Sequence, residues 1–523
     1  MNTIKRALIS VSDKTGLVDF VWGLRELIPN LQIISTGGTA KLLHTKEISV
    51  TPISEVTRFP EILDGRVKTL HPLIHGGLLG LRTNDAHRKQ MSKHGIKPID
   101  LAVVNLYPFR NTILKPDSTL EDAIENIDIG GPTIIRAAAK NYTSVVVVTE
   151  PSRYPSILEE LKNTGKISLL TREKLAIEAF GHTSQYDAMI HSYLQRSIGS
   201  KEDFPPIITR AFEKIPVDLR YGENPHQKAN IYRDVTEPMP STVTDADQLQ
   251  GKALSYVNVL DFDAALEILF EFEEPTAVII KHMNPCGIAS ADTITNAYIR
   301  AQETDPMSSY GSIVGINRPL EDEALAKRLT ETYVEGIIAP SINKDLLPIL
   351  GSKVNMRVLD IGKTEIKLFP KVFRAINGGL LIQDRDLFKI SANNFKIVTK
   401  RTPTPEEERD LQFAWKVVKH VKSNAIVLVK NRQACGIGAG QMSRVDSAII
   451  ARRKALENNF DLKKAVLASD AFFPFRDSVD TAAGAGITAI IQPGGSIRDK
   501  ESIQAANEHD IAMVFTGIRC FKH

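Results

Sequence analysis

The sequence of 523 residues is poor in cysteine. Its three cysteines, Cys286, Cys435 and Cys520, are too few for a disulfide framework, and none belongs to a Cys-x-x-Cys pair. The sequence is therefore not typical of a disulfide-stabilised protein, and it carries no pattern of a structural zinc site.

Long apolar segments and a charge excess are also missing. No window approaches the ~20 consecutive apolar residues of a membrane span, and the first residues, MNTIKRALISVSDKTG, lack the apolar core of a signal peptide. Lys and Arg total 65 against 62 Asp and Glu, which gives a net charge of +3 and no basic surplus to neutralise a nucleic-acid backbone. We expect a cytoplasmic protein without a membrane or nucleic-acid partner.

The composition itself is that of an ordinary globular protein, with 42% hydrophobic and 24% charged residues. A helical pattern over residues 171–197 is followed by a polar, proline-containing stretch, and a second polar stretch lies near residue 400. We predict a first domain at 1–199, a linker at 200–216, and a second domain at 217–523 made of two lobes with a break near 400.

The first half alternates strand-like and helix-like segments. Apolar, β-branched runs at 6–12, 31–35, 100–106 and 144–149 are typical of buried strands. Strand, loop and helix in this repeated order predict a parallel α/β sheet. Because ligands of such sheets bind beyond the carboxyl ends of the strands, we expect a site in the loops that follow these runs.

Two of these loops have the composition of phosphate-binding loops. The segments Ser12-Asp13-Lys14 and Thr36-Gly37-Gly38-Thr39 offer backbone N–H groups, hydroxyls and one ammonium group at a helix N-terminus. Either loop alone is also explained by an ordinary capped turn, but the two in succession favour a nucleotide monophosphate. Neither loop is a Walker A motif.

Four further motifs follow in the first half: GRVKTLHP (65–72), NLYPF (105–109), IDIGGP (127–132) and RAAAKN (136–141). Together with SVSDKTG (10–16) and STGGTAK (35–41), they resemble the cyclohydrolase half of the bifunctional PurH family of purine biosynthesis. The resemblance runs from Ile4 to His523, with the motifs in the same order. It implies an α/β fold with a methylglyoxal-synthase-like, Rossmann-like first domain. The second domain would consist of duplicated cytidine-deaminase-like lobes without zinc.

For the first half, the resemblance implies ring closure of the formylated nucleotide 5-formamidoimidazole-4-carboxamide ribonucleotide (formyl-AICAR) to inosine monophosphate (IMP). Lys140 would be the proton-transfer residue. Lys68 and Tyr107 would stabilise charge, and Asp128 would orient the carboxamide, with no metal. The nucleotide would contact Ser12, Asp13, Lys14, Thr36, Gly37, Gly38, Thr39, Arg66, Val67, Thr69, Val104, Asn105 and Ile129.

One pair in the second half suits acid–base chemistry. Lys281-His282 follows an apolar strand pattern, and a histidine with its ordinary pKa of ~6.5 is available as a base at neutral pH. From the residues alone, a structural network explains the pair equally well. The following Asn-Pro-Cys-Gly lacks the second cysteine and the upstream His-x-Glu of a zinc deaminase, which disfavours that chemistry.

The resemblance assigns this half to formyl transfer from 10-formyltetrahydrofolate, a co-substrate, to the amine of the nucleotide AICAR. His282 would accept the amine proton and Lys281 would stabilise the transition state, without a catalytic metal. AICAR would bind Arg220, Tyr221, Gly311, Glu335, Asn424 and Arg444, and the folate would bind Val445, Phe472, Ser496, Ile497 and Arg519.

The resemblance also implies a homodimer with a shared formyltransferase site, and it allows a structural potassium ion near Asp470. Three positions depart from the family pattern in some of its members: Tyr310, Glu335 and Met442. Two weaker alternatives stay open. A methylglyoxal-synthase-like enzyme would eliminate phosphate without folate, and a non-catalytic nucleotide-binding module would leave Lys281 and His282 without a purpose.

Overall fold

The computed structural model describes residues 4–115, 117–199, 203–237, 242–362, 365–391 and 394–523. The chain forms two compact units: Met1–Glu213 with Asp234–Pro238, and Lys214–Arg233 with Met239–His523. The start of the predicted linker, 200–202, lies outside the described residues. Within the described ranges, no helix combines the length and apolarity needed to cross a bilayer.

A parallel sheet of order β3-β2-β1-β4-β5 forms the centre of the first unit. Its strands are β1 (Arg6–Ser10), β2 (Gln32–Ser35), β3 (Thr51–Pro52), β4 (Leu101–Val104) and β5 (Val146–Val148). The parallel α/β sheet predicted from the apolar runs is therefore confirmed. Strands buried on both faces need no polar alternation, which is why they are recognisable as continuous apolar runs.

Helices surround this sheet, and the last of them is the long helix predicted from the pattern at 171–197. The helices are α1 (Leu17–Leu27), α2 (Gly37–Thr45), α3 (Ile53–Thr57), α4 (Pro72–Leu79), α5 (Asp85–Lys93), α6 (Phe109–Ile113), α7 (Leu120–Glu125), α8 (Gly130–Lys140), α9 (Tyr154–Thr164) and α10 (Leu169–Ser197). Short 3₁₀ turns lie at Leu63–Gly65 and Pro151–Arg153.

Two short strands, β6 (Phe212–Lys214) and β7 (Tyr232–Asp234), lie where the chain passes from one unit to the other. The second unit contains a mixed sheet of order β16-β21-β20-β19-β17-β18-β10-β9-β11-β12-β13-β8. Its strands are β8 (Asp247–Gln250), β9 (Thr276–Lys281), β10 (Asn284–Ser290), β11 (Ser312–Ile316), β12 (Val334–Ala339), β13 (Arg357–Asp360), β16 (Lys396–Ile397), β17 (Ile426–Lys430), β18 (Gln433–Gly438), β19 (Val466–Ser469), β20 (Ala489–Gln492) and β21 (Ala512–Phe515). A separate hairpin joins β14 (Lys371–Ile376) to β15 (Gly379–Asp384).

The helices of the second unit are α11 (Tyr256–Leu269), α12 (Ile294–Thr304), α13 (Pro306–Ser309), α14 (Glu323–Glu331), α15 (Leu347–Leu350), α16 (Pro405–Val418), α17 (Arg444–Glu457), α18 (Asp477–Gly484) and α19 (Asp499–Glu508). Short 3₁₀ turns lie at Lys344–Leu346 and Gly351–Lys353. Helices α11 and α16 share one apolar core. Each lobe has a further core: α12 and α14 contribute to one, and α17 to α19 contribute to the other.

The two lobes repeat one topology, which confirms the predicted duplication. In the first lobe β9 pairs antiparallel with β10 and β11, and β11 continues in parallel to β12. In the second lobe β17 pairs antiparallel with β18 and β19, and β19 continues in parallel to β20. The lobes join where β10 meets β18, at Ala289 and Gln433.

Glycines allow a helix to lie unusually close to the sheet in both lobes. A Cβ atom on Gly436 of β18 would overlap the carbonyl oxygen of Ala451 in α17, and one on Gly287 of β10 would overlap that of Ala301 in α12. The same close approach in each lobe fixes the position of the strand that leads away from the hairpin turn. The two hairpin turns connect β9 to β10 and β17 to β18.

Replacing Gly436 with alanine should lower the free energy of unfolding by about 1–3 kcal/mol, the usual cost of overpacking a tight contact. Gly484 is the matched control, because it ends α18 and is exposed. Among the described residues, only its chain neighbours and its own helix backbone could lie within 4 Å of the added Cβ atom. Gly484→Ala should leave stability unchanged or raise it slightly. Urea unfolding followed by circular dichroism measures both, and equal stability of the two variants would contradict the packing argument.

Candidate active sites

The first site lies at the carboxyl ends of β1, β2 and β4, where the loops after β1 and β2 are joined by hydroxyl groups. The Ser10 and Thr36 hydroxyl oxygens are 2.7 Å apart. The Thr39 hydroxyl accepts from the Val11 N–H at 3.1 Å and donates to the Val11 carbonyl at 3.0 Å. The two predicted phosphate loops are therefore brought together.

The end of β4 joins the same place through Asn105. Its side-chain oxygen accepts the N–H groups of Ser12 at 2.6 Å and Asp13 at 3.0 Å. Its amide group donates to the Asp13 carbonyl at 3.0 Å. The Asn105 side chain is thus committed to holding the loop, and its predicted contact with the base stays a prediction.

An open polar surface faces this loop pair. Apart from their chain neighbours and the backbone of α2 itself, no atom of the described residues lies within 4 Å of the positions that Cβ atoms on Gly37 and Gly38 would take, at the N-terminus of α2. The Lys14 side chain is exposed, with Nζ 3.3 Å from the Ser12 carbonyl. Space, a helix N-terminus and an ammonium group together suit a phosphate. Hydrogen bonds from Thr15 lower the pKa of Asp13 and hold its carboxylate locally.

The other end of the first site is built around Asp128, just before α8. Its carboxylate accepts the Gly131 N–H at 2.8 Å, and its own N–H donates to the Tyr186 hydroxyl oxygen at 2.7 Å. Burial raises the pKa of Asp128, while backbone N–H groups, including that of Tyr107, and the charge of Lys68 oppose that rise. The sequence did not indicate this contact with Tyr186, which lies on α10.

The segment Arg66–Thr69 lies against the first turn of α8. A Cβ atom on Gly130 would nearly overlap the Thr69 hydroxyl. Lys68 Nζ lies 3.6 Å from a Glu61 carboxylate oxygen, and Arg66 pairs with Glu125. Three of the four predicted catalytic residues of this site, Lys68, Tyr107 and Asp128, are therefore neighbours, and Ile129 is exposed beside them.

Lys140 is the exception. It is the last residue of α8, whose first residue, Gly130, lies at the site. At 1.5 Å per residue the helix carries Lys140 about 15 Å along its axis from Gly130, a gap longer than a lysine side chain. One chain alone does not bring Lys140 to Asp128.

The second site begins at the turn between β9 and β10, which carries Lys281 and His282. Lys281 Nζ donates to the carbonyls of Tyr310 at 2.6 Å and Gly311 at 3.1 Å. His282 is exposed, with the positive φ of 53°. The ammonium group is thus held in place by two carbonyls, and the imidazole beside it faces outward.

Predicted nucleotide-binding residues of the first lobe gather beside this turn. Glu335 pairs with the buried Arg357 at 3.2 Å and accepts from the Tyr333 hydroxyl. Burial lowers the pKa of Arg357; nearby Glu335 opposes that effect, and nearby Arg220 adds to it. The Arg220 guanidinium lies 5.1 Å from the Tyr221 ring centre. Arg357, which the sequence did not indicate, thus lies among the predicted nucleotide-binding residues.

The predicted residues of the second lobe form a buried polar cluster. Arg444 donates to the Asn424 side-chain oxygen at 2.7 Å and to the Ser469 hydroxyl at 2.9 Å, and it pairs with Asp470. The Ser423 hydroxyl also donates to Asp470. The charge of Asp470 is therefore balanced by Arg444 without a potassium ion, which stays a prediction of the resemblance.

Asn284 joins the two halves of this site. Its amide group donates to the His282 carbonyl at 3.2 Å, and its oxygen accepts the Lys422 N–H at 3.0 Å. The next residue, Ser423, donates its N–H to the Lys522 carbonyl at 2.9 Å, and Lys522 Nζ bonds Glu267 at 2.8 Å. Hydrogen bonds thus connect the turn at His282, the segment at Lys422 and Ser423, and the end of the chain at Lys522.

The predicted folate residues are accessible on the second lobe. Phe472 and Phe475 are exposed, whereas Phe473 belongs to the core. Ile497 is fully exposed, Arg519 lies 4.3 Å from the Phe521 ring centre, and Val445 is in the first turn of α17. The Ser496 N–H donates to Asp499 at 3.1 Å. Only part of the aromatic run is therefore available to a flat ring.

Burial raises the pKa of the Cys286 thiol, next to the catalytic turn, to about 12. A thiol so rarely ionised is a poor nucleophile and metal ligand. Within the part of the chain that the structure describes, no group of three or more His, Cys, Asp or Glu side chains is arranged to hold a metal ion.

Comparisons with known proteins cover both units. An MGS-like domain profile matches residues 16–133, and an AICARFT/IMPCHase bienzyme profile matches residues 138–454. The chain is 54% identical over 519 residues to the bifunctional purine biosynthesis protein PurH of Bacillus cereus (strain AH820), covering 99% of this chain and 100% of the relative. The protein of the same name from Bacillus anthracis matches with the same identity and coverage. A crystal structure of ForH is 32% identical, covers 36% of this chain and 95% of its own, and has a TM-score of 0.32.

Asn105→Ala should free the loop that contains Ser12 and Asp13, because their N–H groups lose a shared acceptor. We expect a loss of about 1–3 kcal/mol in stability and faster amide hydrogen exchange over residues 10–16, measured by mass spectrometry. Asn163→Ala, on the exposed face of α9, is the control and should change neither. Unchanged exchange in Asn105→Ala would show that other contacts hold the loop.

Proposed function

The chain belongs to the AICARFT/IMPCHase bienzyme family, that of the bifunctional purine biosynthesis protein PurH, and on this premise we propose which of its residues perform the two reactions. It is a formyltransferase that acts on AICAR and a cyclohydrolase that produces IMP. The observation that carries the residue assignments is the clustering of the family's motifs into two constellations, one in each unit. Folate-independent phosphate elimination and pure nucleotide binding are set aside by the full-length match.

In the first site the phosphate of formyl-AICAR would bind at the N-terminus of α2 and beside Lys14. The carboxamide nitrogen, a weak nucleophile, would attack the formyl carbon, and the formyl oxygen becomes anionic. Lys68 and the Tyr107 hydroxyl would stabilise that charge. After protons move from the nitrogen to the formyl oxygen, it leaves as water. The Asp128 carboxylate is held by the Gly131 N–H. It would also accept the N–H of the substrate carboxamide and so orient that group.

In the second site His282 would take the proton of the AICAR amine as it attacks the formyl carbon. The bond from that carbon to N10 of the folate would then break, and the proton held by His282 would pass to N10, which leaves as tetrahydrofolate. Lys281, fixed by two carbonyls, would stabilise the developing charge on the formyl oxygen. The formyl donor is 10-formyltetrahydrofolate, whose flat ring system would lie near Phe472 and Ile497. Holding both substrates in line supplies much of the remaining acceleration.

The chain would act as a homodimer in the cytoplasm, in which the formyltransferase site is shared. Three free cysteines agree with a reducing compartment. A dimer would also account for Lys140, since the residue lies too far along α8 to serve Asp128 of its own chain. A second copy would supply Lys140 as the proton-transfer residue.

His282→Ala should reduce formyl transfer by about 10²–10⁴-fold, the usual worth of a general base, and leave cyclisation of supplied formyl-AICAR intact. Asp128→Asn should do the reverse. Formyl transfer is followed by release of tetrahydrofolate from AICAR and 10-formyltetrahydrofolate, and cyclisation is followed separately by formation of IMP from supplied formyl-AICAR. Loss of both activities in either variant would refute separate sites, and wild-type protein inactive in both assays would refute the function itself.

The rate of cyclisation should also fall at acidic pH. The reaction needs the Asp128 carboxylate, and the pKa of this group is raised above its ordinary 3.8 by burial. As the pH falls through that raised pKa, the carboxylate is protonated, so the rate should fall at a higher pH than an exposed aspartate would give. The acid limb should disappear in Asp128→Asn, whose residual rate has no carboxyl group to titrate.

The origin of Lys140 is testable by mixing two inactive variants. Lys140→Ala and Asp128→Asn, co-expressed with different tags, should recover about a quarter of wild-type cyclisation if each site uses Lys140 of the other copy, because random pairing gives mixed dimers with one intact site. If Lys140 acts within its own chain, mixing restores nothing. Full activity of Lys140→Ala alone would remove it from the mechanism.

A further inference from the structure

The catalytic turn of the second site has a backbone that costs free energy. His282 and the next residue, Met283, both have positive φ angles, 53° and 60°, and together they connect β9 to β10. Residues with a Cβ atom are sterically strained in this left-handed region. Neither residue is glycine, so contacts elsewhere must hold the turn in place.

The carboxylate of Asp261 makes that contact. Asp261 lies on α11, is buried, and accepts the Met283 N–H at 2.7 Å. It also accepts the backbone N–H of His282. Burial raises the pKa of Asp261, and these two N–H groups, with the nearby charges of His282 and Lys281, oppose the rise. A buried acceptor thus satisfies both N–H groups of the turn, which point away from the sheet.

The second lobe contains the same arrangement, a left-handed hairpin turn bound by a buried aspartate, but without a histidine. At the equivalent turn between β17 and β18, Asn431 and Arg432 have φ angles of 54° and 57°. Asp410 on α16 accepts their N–H groups at 2.7 Å each. Lys430 precedes this turn as Lys281 precedes the first. The duplicated lobes therefore use one buried aspartate per turn, and only one turn carries an imidazole.

We propose that Asp261 is a positioning residue of formyl transfer, which fixes the left-handed turn so that the His282 imidazole stands beside the anchored Lys281 ammonium group. This inference rests on the proposed role of His282 as the base. The turn has fixed neighbours on both sides: Lys281 is bound to Tyr310 and Gly311, and Asn284 is bound to Lys422. Without Asp261 the turn would relax between these anchors and move the imidazole.

The test measures kcat and KM of both reactions in Asp261→Ala, with Asp410→Ala as the matched control. Asp261→Ala should lower the kcat of formyl transfer about a hundredfold, the cost of a displacement of about 1 Å, while KM for AICAR changes little. Cyclisation should be unchanged. Asp410→Ala should lose similar thermal stability, since it removes the same kind of contact, yet keep the kcat of formyl transfer within about twofold.

The asparagine variants serve as the second arm, and as the main one if the alanine variants do not fold. Asp261→Asn keeps one acceptor oxygen, so it should recover most of the lost kcat, while Asp410→Asn should again match the wild type. Equal loss of formyl transfer in the Asp261 and Asp410 variants would overturn the proposal in favour of a general stability effect. A wild-type kcat in both Asp261 variants would overturn it as well.

The His282→Ala variant distinguishes a failure of the proposed base from a failure of the positioning role of Asp261. If His282→Ala retains formyl transfer, the proposed role of His282 fails, and with it the reason for a positioned turn. If His282→Ala loses the activity and both Asp261 variants keep it, only the positioning role of Asp261 fails.

Discussion

Buried side-chain oxygens that accept backbone N–H groups hold the polar loops of both units. A loop that leaves a strand turns its N–H groups away from the sheet, and each buried N–H needs an acceptor. The acceptor is Asn105 for the loop after β1 and Asp128 for the first turn of α8. In the second unit, Asp261 and Asp410 are the acceptors for the two hairpin turns. Of the proposed catalytic groups, Asp128 is itself such an acceptor and His282 stands on a turn held by one. The placement of His282 therefore depends on a group that need touch no substrate.

Much of the fold was predictable because it depends on local patterns. Continuous apolar runs marked the buried strands of the first unit, and helical periodicity marked α10. The motif series, through its resemblance to a family, also implied the duplicated lobes. Contacts between distant residues were not predictable. Tyr186 bonds Asp128 from 58 residues away, and in a single sequence it is indistinguishable from any other tyrosine on the apolar face of a helix.

Lys140 shows how a linear motif can mislead about distance. IDIGGP and RAAAKN are nearly contiguous in the sequence, and both match the cyclohydrolase family. The glycines of the first motif begin α8, however, and the lysine of the second ends it. In a parallel α/β unit the start of such a helix lies near the carboxyl edge of the sheet and its end near the opposite edge. Two motifs that are adjacent in the sequence therefore lie at opposite ends of α8 within one chain.

The network through Lys522 has a consequence for the order in which the two sites can form during synthesis. The contacts that the first site makes within its own chain can form once Tyr186 has emerged, because they lie within the first unit. The second site includes the hydrogen bonds from the Ser423 N–H to the Lys522 carbonyl and from the Cys520 N–H to the Asp470 carbonyl. It therefore cannot form until Lys522 has been synthesised. Domains generally fold as units, N-terminal first. A ribosome making this protein would therefore carry the part of the cyclohydrolase site that one chain builds long before the formyltransferase site that supplies its substrate.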